Sequence, residues 1–188
     1  MRVALTGTPG TGKTTVAEHL AERLGLEVVD LSRLAEESVF TEGYDDEYGV
    51  PEVDIDAVRD ELDSEDDILI EGHLSHLVDV GHTVVLRCRP DVLEDRLSER
   101  GYDDDKVREN AESEALDVVL AEAVEKQGDE NVYEIDTTDK TVGETVEEAA
   151  EAVEKHESRT GVADADWIEY ISTDGSDATG SWTGGDPQ

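Results

Sequence analysis

An α/β fold, with a parallel sheet covered by helices on both faces, is what this sequence predicts, and three observations carry the expectation. Apolar runs that do not alternate (Val3-Ala4-Leu5, Ile68-Leu69-Ile70 and Thr83-Val84-Val85-Leu86) read as strands buried on both sides. Helical spacing separates them, and strands alternating with helices imply a parallel sheet. Between the first strand and the first helix stands Gly7-Thr8-Pro9-Gly10-Thr11-Gly12-Lys13-Thr14, the G-x-x-x-x-G-K-[ST] pattern of a phosphate-binding P-loop.

The elements follow in order. A first strand runs to Thr6, and a helix starts at Lys13 with Val16, Leu20 and Leu24 on one face. Glu27 to Asp30 predicts a second strand and Ser32 to Val39 a short helix. From Thr41 to Asp54 the chain is Gly, Tyr, Pro and acid, which predicts a loop or partly ordered flap, before helical spacing resumes from Ile55 to Leu62. The third strand closes on Glu71-Gly72-His73 and the fourth on Arg87. Pro90 opens a helix to about Arg100, one long helix is expected from about Lys106 to Lys126, and Val132 to Ile135 gives a fifth strand. A last helix spans about Val142 to His156, with Val146, Ala149, Ala150 and Val153 inward. Trp167, Ile168, Tyr170 and Ile171 form a small apolar cluster expected to dock back on the domain. The segment from Ser172 to Gln188 has almost no apolar content, and disorder is expected there.

At 188 residues the chain has room for one domain with a proper core. Its 51 acidic and 15 basic residues leave a formal net charge of −36. Because the apolar residues keep regular spacing, we read a folded domain inside an acidic solvated shell. That composition resembles proteins of salt-accumulating halophilic archaea, and screening gives the reason: the Debye length falls from about 10 Å at 0.1 M to about 3 Å at 1 M salt. No basic stripe is present to displace counterions from nucleic-acid phosphates, which argues against broad nucleic-acid binding. Cys88 is the sole cysteine, so an intrachain disulfide is excluded. A strand entered directly after Met1 and the lack of a transmembrane-length apolar run predict no signal peptide and a cytoplasmic setting.

The P-loop assigns chemistry to its residues. Its glycines let successive amides turn toward phosphate oxygens, Lys13 reaches the outer phosphates, Thr14 offers its hydroxyl to Mg2+, and the following helix aims its positive end at the anion. Basic residues are also concentrated: Arg87, Arg89, Arg96, Arg100, Lys106 and Arg108 lie close together in a chain with 15 in all. Some of them pair with neighbouring acids, while Arg96, Arg100 and Arg108 are candidates for a clamp on a transferring phosphoryl group. Glu71, at the end of the third strand, is placed to hold a magnesium-bound water or to orient a nucleophile, although Asp is the usual residue there. His73 and His76 sit three apart, which fits a packing or capping role better than a metal pair, and His73 is also a candidate for positioning an attacking water or nucleotide. Tyr44 and Tyr48 make the acidic segment either a lid that stacks on a base or a plain solvated loop. Lys140, just past the last strand, is placed to touch a nucleotide.

Taken in order, the P-loop, Gly43-Tyr44-Asp45-Asp46-Glu47-Tyr48, Glu71-Gly72-His73-Leu74-Ser75-His76, Arg100-Gly101-Tyr102 with Lys106-Val107-Arg108-Glu109-Asn110, and Asp166-Trp167 resemble the adenylate kinase isoenzyme 6 family. The resemblance spans about Met1 to Ile171. It implies a nucleoside-monophosphate kinase fold at 1–171 with a five-stranded parallel core, an NMP-binding segment at about 30–51, a short lid at about 99–109, and a tail at 172–188. It implies ATP with Mg2+ in the P-loop and AMP as acceptor. Carried onto this sequence, nucleotide contacts fall on Gly7, Gly10, Gly12, Lys13, Thr14, Thr15, Arg100 and Lys140, with Thr14 and Glu71 at the metal. Lys13, Arg100, Arg108, Glu71 and His73 fall in the catalytic set. The family also hydrolyses ATP, binds the small-subunit ribosomal protein uS11 and acts in small-subunit rRNA maturation; a monomer is expected. Three activities therefore stay open: transfer from ATP to AMP, ATP hydrolysis in ribosome assembly, and transfer to another small metabolite.

Overall fold

The computed structural model describes residues 1–37, 41–45, 50–156 and 167–172. Its elements begin with β1 (Arg2–Thr6), α1 (Lys13–Leu24), β2 (Glu27–Asp30), α2 (Leu31–Glu37), β3 (Thr41–Asp45), β4 (Val50–Val53) and α3 (Ile55–Leu62). They continue with β5 (Ile68–Glu71), β6 (His82–Arg87), α4 (Pro90–Glu99), α5 (Asp104–Ala115) and α6 (Val118–Gln127). β7 (Val132–Asp136), α7 (Val142–Lys155) and the short α8 (Ile168–Ser172) complete the series.

Five strands form one all-parallel sheet in the order β2-β5-β1-β6-β7. The fold is thus the predicted P-loop α/β architecture. Val3, Leu5, Leu69, Val84, Leu86 and Ile135 turn one face of the sheet to α1 and α7. Ile68 and Ile70 turn the other face to Val58 and Leu62 of α3, and Val85 and Val132 pack on Ala123 of α6. Because both faces are covered, the strands carry continuous apolar runs rather than alternation. With β1 central and its neighbours crossing to either side, the carboxyl ends of β1, β5 and β6 open a crevice, the usual place for a ligand in such sheets.

Two expectations are corrected. The segment from Thr41 to Asp54 carries an antiparallel hairpin, with Tyr44 opposite Pro51 and Asp45 opposite Val50. Pairing satisfies backbone groups that a loop would leave to water, and Pro51 is tolerated because a two-stranded ribbon has free edges. Tyr48 and the side chain of Tyr44 lie outside the described residues, as do Asp166 and the tail from 173 onward. The second correction concerns the long helix from Lys106 to Lys126, which is two helices. It starts earlier, at Asp104 behind the N-cap Asp103, and breaks at Leu116-Asp117, where Asp117 takes φ 56°. At the break the Glu114 carbonyl, which also accepts from the Asp117 amide at 3.2 Å, and the Asp117 carboxylate accept from Arg87 Nη2, at 3.0 and 2.5 Å. Satisfying a buried guanidinium outweighs continuing the helix.

Trp167 is buried, and the Arg87 guanidinium carbon stands 5.0 Å from its ring centre, a cation–π contact. Among the described residues, no helix is long and apolar enough to cross a membrane.

Candidate active site

The loop between β1 and α1 is held in shape by contacts only glycine permits. Gly7 has φ 140°, and a Cβ there would lie 2.3 Å from the Leu86 carbonyl oxygen. Gly10 has φ 96°, and its Cβ would meet Leu93 Cδ1 at 2.7 Å. Lys13 folds back on the loop, donating from Nζ to the carbonyls of Gly7 at 2.7 Å and Thr8 at 3.1 Å. Burial brings its ammonium down to about 8, against the opposing charges of Glu71 and Glu114. Thr11 donates to the Thr8 carbonyl, and Thr137 Oγ1, beyond β7, lies 3.1 Å from the Thr11 carbonyl. The loop is thereby stitched to the sheet.

At the end of β5, Glu71 accepts from Thr14 Oγ1 at 3.3 Å. Burial and the nearby Asp30 hold the Glu71 carboxyl above the ordinary carboxylate range, while Lys13 and Thr14 pull it back. One carboxylate and one hydroxyl beside a phosphate loop suit Mg2+, a hard cation that keeps several waters and takes its remaining oxygens from phosphates. Among the described residues no group of three or more His, Cys, Asp or Glu side chains could form a closed cage for a metal. The Thr14 hydroxyl and the Glu71 carboxylate are oxygens of the kind that fit such a cation.

The two histidines part company. His73 lines the same cavity as Lys13, and burial, then the Lys13 charge, keeps its imidazole below the usual range and so neutral. His76 lies beneath, fully buried, with Nδ1 2.9 Å from Thr6 Oγ1 and Nε2 3.4 Å from Glu122 Oε2. They do not form a metal pair; His76 packs the turn Ser75–Leu77 under the strand ends.

Three connected hollows surround the loop. A donor-side cavity of about 430 Å³ is walled by Gly10, Gly12, Thr15, Arg96, Arg100 and Lys140. A middle hollow of about 230 Å³ shares Arg100 with it and adds Lys13, Thr14, Glu71, His73 and Tyr102. A third, of about 410 Å³, shares Thr14 and Glu71 with the middle one and opens toward Asp30, Arg33 and Leu34. Of the residues expected from sequence, Gly10, Gly12, Lys13, Thr14, Thr15, Glu71, His73, Arg100 and Lys140 come together here, and Gly7 supports them from below. Lys140 Nζ is paired with Glu148 at 2.6 Å on the cavity wall. Arg108 does not join them: it is 65% exposed on α5, facing Asp105 and Glu112 at 3.7 and 3.8 Å. The basic cluster likewise divides, with Arg96 and Arg100 on the cavity, Arg87 buried in ion pairs, Arg89 on Asp91 and Lys106 on Glu109.

Sequence reading passed over Arg33. It sits in the first turn of α2, its amide donating to Asp30 Oδ1 at 3.0 Å, and its charge in a cation-poor chain was the available signal.

A family model described as an AAA domain matches residues 3–117. A protein of Natronomonas pharaonis, named "Putative adenylate kinase", is 50% identical over 171 residues, covering 91% of this chain and all of that protein. A protein of the same name from Halobacterium salinarum is 44% identical over 172 residues, covering 91% of this chain and 100% of that one. The chain belongs to this family. Among solved structures, a shikimate kinase from Acinetobacter baumannii matches with a TM-score of 0.61 at 19% identity, covering 83% of this chain and 94% of that one. At that identity the match speaks for the fold, and it agrees with a P-loop kinase architecture.

Proposed function

We propose that the protein is an adenylate kinase-type enzyme that transfers the γ-phosphoryl group of ATP to AMP, giving two ADP. The observation that carries this is the meeting of two cavities at one reactive edge. Arg100 belongs to both donor side and middle, and Thr14 and Glu71 to both middle and far side. A transferase needs a place for each substrate, and a hydrolase needs only the first. The relatives' name points to the same acceptor.

In this reading the loop amides and Lys13 hold the triphosphate, and Arg96 and Lys140 flank its nucleoside end. Arg100 neutralises charge on the group in flight, while Arg33 and Asp30 receive the acceptor. Bound at Thr14 and Glu71, Mg2+ would supply charge neutralisation for the phosphates. Catalysis is then positioning and electrostatics, with no covalent intermediate. Formation of ADP, measured in concentrated KCl with Mg2+, tests the proposal: turnover should depend strongly on AMP, and equal turnover without AMP overturns it.

His73 supports a second activity at the same site. A neutral imidazole beside Lys13 can orient and accept a proton from water, so ATP hydrolysis is proposed as a side reaction. Its use in small-subunit maturation, with uS11 as partner and the enzyme acting as a cytoplasmic monomer, rests on family resemblance. Stimulation of hydrolysis by purified uS11 is the expected result.

A further inference from the structure

Glu114 lies in α5, the helix that follows Arg100 and Tyr102, and its side chain is 2% exposed. Its Oε1 accepts from Arg87 Nε at 2.6 Å and from the Cys88 amide at 3.1 Å. Its Oε2 accepts a short hydrogen bond from the hydroxyl of Thr8, a buried residue of the P-loop. The Thr8 carbonyl in turn accepts from Lys13 Nζ at 3.1 Å, Thr11 Oγ1 at 2.9 Å and the Thr11 amide at 3.3 Å. A chain of contacts therefore runs from α5 through Glu114 and Thr8 to the ammonium of Lys13.

Arg87 also donates to Glu134 at 2.8 Å, which is buried, and to Asp117 at 2.5 Å. Glu114 and Glu134 thus both face the same guanidinium. An apolar residue here would leave Arg87 Nε, the Cys88 amide and the Thr8 hydroxyl without this acceptor. Besides Arg87, the Glu114 oxygens engage Thr8 and the Cys88 amide, and only Thr8 leads into the loop.

We propose that Glu114 is a positioning residue for phosphoryl transfer: through the Thr8 hydroxyl it locks the P-loop and so sets where Lys13 stands against the transferring group. The proposal deepens the kinase reading given above and rests on it.

The test compares Thr8→Val, which removes only the hydroxyl, with Glu114→Gln, which leaves Arg87 its Glu134 and Asp117 partners, and with the double variant. Each single change should lower kcat by about 10- to 100-fold, the scale of a small misplacement of reacting groups, with KM for AMP unchanged. The double variant should lose no more than the worse single, and Thr8→Ser should restore turnover. Wild-type kcat in Thr8→Val, or multiplying losses in the double variant, overturns the proposal, and Thr8→Val decides the matter should Glu114→Gln fail to fold. Calorimetric ATP binding is measured alongside. If the wild type binds ATP yet never phosphorylates AMP, the kinase reading falls. ATP affinity then judges Glu114: weaker, non-additive binding in the variants supports its role, and unchanged binding overturns it.

Discussion

Lys13 donates its ammonium to the carbonyl of Gly7 at 2.7 Å, so the lysine is held against its own loop. In the kinase reading that ammonium serves the phosphates. Lys13→Met should therefore cost about 10²–10³-fold in kcat, the magnitude seen when one charge-stabilising donor is lost. The lysine also carries a pH signature. Its pKa is near 8 in the free protein, and a polyphosphate favours the charged form. Above pH 8, ATP binding should take up a proton, and affinity should fall as pH rises. Binding enthalpies compared in buffers of different ionisation heat should reveal the uptake, and Lys13→Met should abolish it.

Glu71 tests the metal assignment. A metal takes the ionised carboxylate, whereas burial and Asp30 favour the protonated form, so Mg2+ binding should release a proton and weaken as pH falls. Glu71→Gln should raise the Mg2+ concentration for half-maximal activity by about 10- to 100-fold. A Mg2+ titration of turnover checks this, and an unchanged requirement would remove Glu71 from the metal.

Acid sensitivity follows from His82, at the opposite end of the sheet. Its Nδ1 lies 2.8 Å from the Tyr133 hydroxyl, which is 3.1 Å from His156 Nδ1. Burial, His156 and the amino-terminal charge hold His82 below the ordinary imidazole range. The folded state therefore binds fewer protons than the unfolded chain. Its contribution to stability is complete above the unfolded pKa of about 6.5 and is lost as pH falls through that value toward the lower folded one. His82→Asn, which cannot titrate, should show a shallower fall in melting temperature between pH 7.5 and 5.5.

Salt should act on the whole molecule. With a net charge of −36, self-repulsion is large in dilute buffer and is screened at molar KCl. The midpoint of a thermal melt should rise steeply between 0.1 and about 2 M KCl, a range over which the Debye length shrinks severalfold. A flat response would separate this composition from salt adaptation.

The parts of this fold legible in sequence were those in which neighbours along the chain make the structure. The P-loop, the four apolar strands beside it and α7 announce themselves through spacing, and the structure adds the Thr141–Glu144 capping box that starts α7. The break at Leu116-Asp117 was not legible, because its cause is Arg87, roughly 30 residues away and visible only once β6 and α5 are packed. Arg100 and Arg108 were indistinguishable as charges in a basic cluster; the turn at Gly101 sends one to the cavity and the other to solvent. The hairpin was hidden by a composition that suits turns as well as short edge strands.

The paired Arg87, sealed beneath Trp167, gives the molecule two electrical zones. Dissolved ions act on the acidic exterior, whereas the guanidinium and its two buried carboxylates lie out of their reach. A change of ionic strength should therefore move the stability of this chain more than the geometry around Arg87.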